Sequence, residues 1–336
     1  MSGYAAASNG ALTAIPGSPF PYNVYGLALN GKWLFGTPSG ANGGQVIDSF
    51  SIASNGVITP KDTVTVSDSG GGLSSLYLDH TGSTVYGDYY TTNNDYLAYS
   101  VDQETGQLSF VNLLPGGPPN NSPVSFIGNN QFAYSSSCYH FGAEIIGVER
   151  ASDGALSYLQ NFNPPFPKAP SGDFYCPWLA AADPTDHLAI AVQLLNGNFG
   201  VVAPYQLATY TADSSGNLTT NSTYQNMPKV LVGGVTDYRM SPNGKFLAVG
   251  GSSGLQIFHF NGANPITKYT GLLTNTYMQQ VFWDNANHLY AISYDASNPS
   301  ASKLYVFTVT STSVTQAPGS PHSITSPLSL IVLPKT

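Results

Sequence analysis

Three polar residues near the ends of predicted strands carry side chains suited to chemistry on a carbonyl compound. Arg239 follows Asp237 and Tyr238 at the entry to an apolar strand, and a guanidinium can donate two hydrogen bonds to a carboxylate or a lactone carbonyl. His140 and Asp173 stand in polar loops, where an imidazole or a carboxyl group can transfer protons. We therefore predict Arg239 as an electrophile and His140 or Asp173 as the acid or base. The alternatives are an Arg239 that only pairs with Asp237 and a His140 that is an ordinary surface residue.

Aromatic side chains accompany these positions, because the chain contains 22 Tyr and 16 Phe. Some of the rings are expected to pack between strands and the rest to form a weakly charged cup. Such a cup suits a neutral or aromatic small molecule, or the rings of a glycan. The predicted substrate-binding residues are Tyr25, Tyr89, Tyr139, Tyr175, Trp178, Asp237, Tyr238 and Tyr277.

The two cysteines, Cys138 and Cys176, are too few for a disulfide framework and too far apart for a CxxC metal or redox pair. They are either two buried thiols or one disulfide formed in an oxidising compartment. Their predicted places on one face of two neighbouring sheets favour the disulfide.

No metal or cofactor is predicted. The chain has three Glu, none of them ahead of a predicted inner strand, and it lacks zinc-ligand spacing, a Gly-x-Ser-x-Gly elbow and a phosphate-binding loop.

The elements that hold these residues are short apolar strands joined by glycine turns. Asn30-Gly31 separates Tyr25-Gly-Leu-Ala-Leu29 from Trp33-Leu-Phe35, and Asn243-Gly244 separates a similar pair of strands. Asn-Gly between apolar runs is a strong hairpin signal. Four strands in meander order make one propeller blade, and no segment keeps the 3.6-residue period of a helix. The sequence therefore predicts an all-β propeller with very little helix.

Residues that mark the innermost strand of a blade recur every 43 to 59 positions, from Leu27 to Leu328 in the predicted inner strand Leu328–Leu333. This is the spacing of propeller blades. Seven markers predict a single seven-bladed domain over residues 1–336. The last blade is expected to join both termini, because Pro16-Gly-Ser-Pro19 near the start is repeated as Pro318-Gly-Ser-Pro321 near the end. The predicted blades span residues 22–60, 73–117, 122–167, 177–230, 235–273, 277–321, and 326–336 together with 1–20.

Composition limits the partners. Charged residues make up only 8% of the chain and the net charge is −8, which argues against a nucleic-acid surface. No apolar run is long enough to span a bilayer. A polar but weakly charged surface is typical of secreted or cell-envelope β proteins. Met1-Ser-Gly shows no export segment, so either the protein is not exported or its export signal was replaced by a start codon. We favour the second alternative and expect a monomer that is secreted or belongs to the periplasm or cell envelope.

The repeat pattern resembles one family over essentially the whole chain. Tyr238-Arg-Met-Ser-Pro-Asn-Gly-Lys-Phe-Leu-Ala-Val249, together with the Pro-Gly-Ser-Pro repeat, is similar to the YVTN or lactonase-type seven-bladed propellers. That group includes propeller-type 6-phosphogluconolactonases and carboxymuconate cyclases. Its lactonases commonly carry Gly-Pro-Arg-His before an inner strand and a Glu after the next strand. Here Val235-Thr-Asp-Tyr-Arg239 and Gly250-Gly251 occupy those places, so only the arginine persists, in a shifted register.

Two functions follow as hypotheses. The resemblance implies a lactonase- or cyclase-like enzyme, either a hydrolase or a lyase/isomerase. It would open or close a small, weakly charged ring at the loop-rich face, the end of the channel where the longer loops of the blades lie. The missing His and Glu favour instead a non-catalytic envelope propeller that binds a glycan or a protein through its aromatic rim.

Overall fold

A computed structural model describes residues 1–39, 44–66, 72–90, 94–117, 123–139 and 142–333. The chain begins with a hairpin of β1 (Tyr4–Ala6) and β2 (Leu12–Ala14). Six antiparallel sheets follow, each in meander order.

Each sheet is one blade, with its inner strand first. The first contains β3 (Val24–Leu29), β4 (Trp33–Pro38), β5 (Val46–Ile52) and β6 (Ile58–Thr65). The second contains β7 (Gly72–Leu78), β8 (Thr84–Tyr90), β9 (Asn94–Val101) and β10 (Leu108–Gly117). The third contains β11 (Ser125–Phe126), β12 (Phe132–Tyr139), β13 (Gly142–Arg150) and β14 (Leu156–Tyr158).

The remaining blades repeat the order. The fourth contains β15 (Asp173–Ala182), β16 (His187–Asn196), β17 (Gln206–Ala212) and β18 (Leu218–Thr219). The fifth contains β19 (Val235–Met240), β20 (Phe246–Gly251), β21 (Gly254–Asn261) and β22 (Asn264–Lys268). The sixth contains β23 (Met278–Trp283), β24 (His288–Ser293), β25 (Lys303–Val309) and β26 (Val314–Gln316), with β27 (His322–Ser323) also paired to β25.

The predicted all-β propeller is confirmed, and the described helical structure is one 3₁₀ turn at Pro299–Ala301. In the described ranges, no helix has the length and apolar character needed to cross a membrane.

The predicted number of blades is wrong: the described residues form six blades rather than seven, five of them with four strands and the sixth with five. The terminal hairpin and residues 324–333 lie between the sixth and first blades, and we call them the terminal sector. The hairpin corresponds to the outer two strands of a blade. Its Gly3 N–H donates to Ser18 Oγ at 3.0 Å, just as the Val306 N–H of β25 donates to Ser320 Oγ at 2.9 Å.

No strand among the described residues fills the second place of the terminal sector, and residues 328–333 pair with no neighbouring strand there. Leu330 N–H donates to the Gln280 side chain of blade six instead of to a strand backbone. The predicted inner strand at Leu328–Leu333 is thus present as a packed segment without sheet hydrogen bonds.

The hydrophobic core lies between successive sheets. Among the described residues, seven apolar clusters fill the six blades' mutual contacts and both contacts of the terminal sector. Outer turns dock on the preceding blade: a Cβ on Gly154 would lie 2.4 Å from Thr84 Oγ1, and one on Gly10 would lie 2.9 Å from the Ala317 Cβ. Both glycines also have positive φ, which suits glycine alone. The terminal hairpin thus docks on blade six as an ordinary blade would.

Candidate functional site

The inner strand of blade five presents a positioned arginine. The Arg239 side chain is 38% exposed, and its Nε lies 3.4 Å from Asp237 Oδ1. Its guanidinium carbon lies 5.7 Å from the centre of the Phe282 ring on blade six. The other Asp237 oxygen accepts the Val281 N–H at 2.8 Å, so Asp237 links the two blades. It holds the guanidinium through the ion pair alone, because Arg239 Nε makes no hydrogen bond among the described residues. A partly open cation in this position can receive an oxygen of a ligand.

Five inner strands share a break in register close to their first residues, where an extra residue enters the ladder. It falls after Tyr25, Leu73, Pro177, Val235 and Met278. Such bulges turn side chains out of the regular alternation and are common beside active sites. In blade two the extra residue is Ser74, which is exposed. The bulges therefore give the inner wall of the ring a set of redirected side chains.

Blade two also holds an acid that the sequence analysis missed. Asp88 is 1% exposed, and Ser75 Oγ donates to its Oδ2 at 2.5 Å. Burial raises the Asp88 pKa to about 7, although hydrogen bonding from Ser75 and Tyr77 acts in the opposite direction. A carboxyl group with such a pKa can exchange protons near neutral pH. The only signal in the sequence was a carboxylate inside an otherwise uncharged strand.

Of the two predicted acid–base residues, only Asp173 belongs to the described part of the chain. His140 lies outside the described residues, and only the backbone of Tyr139 is described. Asp173 begins β15 of blade four and is partly buried. Within the described ranges, no hydrogen bond or ion pair joins Asp173 to Arg239.

Some of the predicted aromatic substrate-binding residues are buried, and others are at least partly exposed. Tyr89, Tyr175 and Tyr238 are 0%, 2% and 4% exposed and pack between blades, so they offer a ligand little surface. Tyr175 Oη donates to Gln206 Oε1 at 2.9 Å, which directs it away from the inner strand. Tyr25 is half-buried and donates to the Leu73 carbonyl at 3.1 Å. The Trp178 ring meets Tyr205 edge-on at 6.0 Å, and Tyr277 is 39% exposed.

Cys138 and Cys176 lie at disulfide distance, with Cα atoms 5.3 Å apart, in agreement with the predicted pairing. Cys138 belongs to β12 of blade three and Cys176 to β15 of blade four, so the bond joins neighbouring blades beside the channel.

Reduction of this disulfide is expected to lower stability by about 2–4 kcal/mol, because the cross-link restricts the unfolded chain. Thermal unfolding with and without reductant measures the effect. The Cys138→Ser/Cys176→Ser variant should unfold near the temperature of the reduced protein and respond to no reductant. A reduced wild type as stable as the oxidised one would contradict the prediction.

A separate cleft of about 590 Å³ opens on blade one. Its wall combines the Tyr22 ring, three prolines and the carboxylates of Asp48 and Asp62. Thr63 Oγ1 donates to Asp48 Oδ1 at 2.7 Å. An aromatic ring beside carboxylate acceptors is a surface that a hydroxyl-rich ring can contact.

Neither the protein-family models nor the curated proteins contain a match to this chain. Solved structures do match. A candidate 6-phosphogluconolactonase from Bacteroides uniformis shows 14% identity and a TM-score of 0.69, covering 98% of this chain and 93% of that one. The periplasmic gluconolactonase of Pseudomonas aeruginosa shows 16% identity and a TM-score of 0.55, covering 82% and 77%.

Sqt1 from Chaetomium thermophilum, bound to the N-terminus of a ribosomal protein, shows 14% identity and a TM-score of 0.53, covering 89% of this chain and 75% of that one. At these identities the likeness establishes the fold alone. The chain is therefore similar in fold to lactonase-type propellers and also to a propeller that binds a protein segment.

Proposed function

We propose that the protein is a lactonase-like propeller that acts on a small, weakly charged cyclic ester in its central channel. The observation that carries this proposal is the partly open Arg239 guanidinium, oriented by Asp237 and Phe282 on the inner wall. Opening of a lactone places negative charge on the carbonyl oxygen in the transition state. A fixed cation aimed at that oxygen stabilises the developing charge and need not reorganise during the reaction.

The remaining roles follow the same geometry. Tyr25, Trp178 and Tyr277 supply partly exposed aromatic surface, which suits a ring with few charges. His140 or Asp173 remains the proposed acid or base at the loop-rich face. The disulfide is typical of an oxidising compartment, and one structural neighbour is periplasmic. We therefore place the activity outside the cytoplasm.

Arg239→Ala is expected to lower kcat/KM for a responsive lactone about 100-fold, because it removes the donor to the developing oxyanion. The measurement is ring opening across a panel of uncharged five- and six-membered lactones. Arg239→Lys should recover part of the loss, since it restores the charge but not the planar pair of donors. Lys229→Ala is the matched control, because Lys229 also lies over an aromatic ring, 5.9 Å from the centre of Tyr224, but is not on an inner strand.

Unchanged turnover in Arg239→Ala would contradict the proposal. Binding to a glycan array with no lactone opened would favour the non-catalytic alternative, for which the blade-one cleft is the candidate surface.

A further inference from the structure

Ser75 and Asp88 form a pair on the inner wall of blade two. They are register partners on β7 and β8, so their side chains leave the same face of the sheet. Ser75 directly follows the bulge in the inner strand and is partly exposed, while Ser74 beside it is exposed. A solute in the channel can therefore approach the Ser75 hydroxyl, whereas Asp88 behind it stays dry.

Asp88 lacks the partners that structural carboxylates have in this molecule. Asp284 accepts the backbone N–H groups of Ala286 and His288 and also contacts two side chains. By contrast, among the described residues Asp88 Oδ1 is buried and has no partner in hydrogen-bonding geometry. The buried Tyr77 hydroxyl lies near enough to lower the Asp88 pKa but does not reach that geometry. Buried polar atoms are nearly always bonded, so a buried carboxylate oxygen without a partner, in a residue that already accepts from Ser75, points to a role beyond packing.

We propose that Ser75 is the nucleophile of the channel and that Asp88, in place of His140 or Asp173, is its base, an inference that rests on the proposed lactone-opening function. Ser75 Oγ forms a bond to the carbonyl carbon of the ring, and its proton passes to Asp88 Oδ2. The ring C–O bond breaks as that proton moves to the leaving ring oxygen. Water then attacks the acyl-serine, gives one proton through Asp88 to Ser75 Oγ, and releases the hydroxy acid.

Ser75 belongs to the inner strand of blade two and Arg239 to the inner strand of blade five. In the proposed step Ser75 attacks the carbonyl carbon while Arg239 stabilises the charge on the carbonyl oxygen.

The ionisable groups that face Asp88 carry no charge at pH 7. Tyr77 on β7 and Tyr96 on β9 both have pKa values well above the usual range, mainly because they are buried, and so both are neutral at pH 7. The described lysines, arginines and histidines do not perturb the Asp88 pKa, which burial raises to about 7. Ser75 should therefore become more reactive as the pH rises through 7 and Asp88 ionises.

The test is covalent labelling of the full chain by a fluorophosphonate, with the site located by peptide mass spectrometry. We expect label on Ser75, at a rate that rises about tenfold from pH 6 to pH 8. Asp88→Asn should slow labelling about 100-fold, since a positioned base contributes 10²–10⁴-fold. Ser74→Ala is the matched control and should label at the wild-type rate.

Wild-type protein with no label on Ser75, or equal labelling rates in wild type and Asp88→Asn, overturns the inference. Because the wild-type site and its pH profile are read directly, the result does not depend on a variant that fails to fold. Lactone turnover separates the two proposals. Undiminished turnover in Ser75→Ala removes this inference and leaves the proposed function, whereas a labelled Ser75 with no lactone opened removes the proposed function.

Discussion

Asp88→Asn is expected to stabilise the protein by about 4 kcal/mol at pH 8 and to change little at pH 4. The Asp88 carboxyl has a folded-state pKa of about 7 because of burial, against about 3.9 in an unfolded chain. Each pKa unit corresponds to about 1.4 kcal/mol. A raised carboxyl pKa means that the folded state binds the proton more tightly. Wild-type stability should then fall as the pH rises from about 4 through 7, and asparagine removes that loss.

Urea unfolding at pH 4, 6 and 8 measures this difference in the free energy of unfolding. Asp102→Asn is the control, because Asp102 belongs to an exposed turn of the same blade and has a lowered pKa through hydrogen bonds from the Thr105 and Glu104 backbone. Parallel pH profiles for wild type and Asp88→Asn would show that Asp88 is not the buried acid described here.

Arg150→Ala is expected to destabilise the protein by about 3–5 kcal/mol, the usual effect of leaving one member of a buried ion pair alone. Arg150 Nη2 lies 2.7 Å from Asp79 Oδ2, and the Asp79 side chain is completely buried. Arg150 Nε also donates to Tyr86 Oη at 3.2 Å. Arg150 belongs to blade three and the other two residues belong to blade two. The substitution therefore removes contacts between two blades as well as an ion pair.

The ion pair of Asp79 and Arg150 also predicts that the folded protein loses stability in acid. Burial acts to raise the Asp79 pKa, but hydrogen bonds from Thr81 and Asn130 and the charge of Arg150 outweigh it and hold the pKa below its usual value. A lowered carboxyl pKa contributes stability above the unfolded-state pKa, and that contribution is lost as the pH falls through the folded-state pKa.

Urea midpoints at pH 7 for Arg150→Ala and for the double variant Asp79→Asn/Arg150→Met test the pair. The double variant should recover part of the loss, because no unpaired charge stays buried. Asp213→Asn, at an exposed turn without an arginine, should have little effect. A loss below 1 kcal/mol in Arg150→Ala would place the pair among ordinary surface ion pairs.

Local patterns in the sequence predicted the hairpins, and the tertiary arrangement decided the rest. Asn-Gly turns and strand spacing are local signals, so the propeller was predictable. The blade count failed because the apolar run Leu328–Leu333 matches an inner strand in composition, whereas pairing also needs a second strand that the terminal sector lacks.

The candidate site was less predictable because burial between blades is not a local property. Tyr89 was predicted to bind substrate, but it belongs to β8 and is completely buried. Asp88, one residue earlier, has a raised pKa because it is buried in the folded molecule. Arg239 was identifiable, since a rare charged residue on an inner strand stands out in a chain with 8% charged residues.

The terminal sector closes the ring by side-chain packing, and we call this junction the seam. Its two ends meet through packing of Ala6 and Leu12 from one end and Leu330 and Val332 from the other against blade six, without the ladder of backbone hydrogen bonds that holds a complete blade. Contacts between residues so far apart in the chain form late in folding, and regions with few ladder hydrogen bonds open at the lowest free energy. The ring should therefore close last and open first at this seam, so that transient widening of the channel begins between blades six and one.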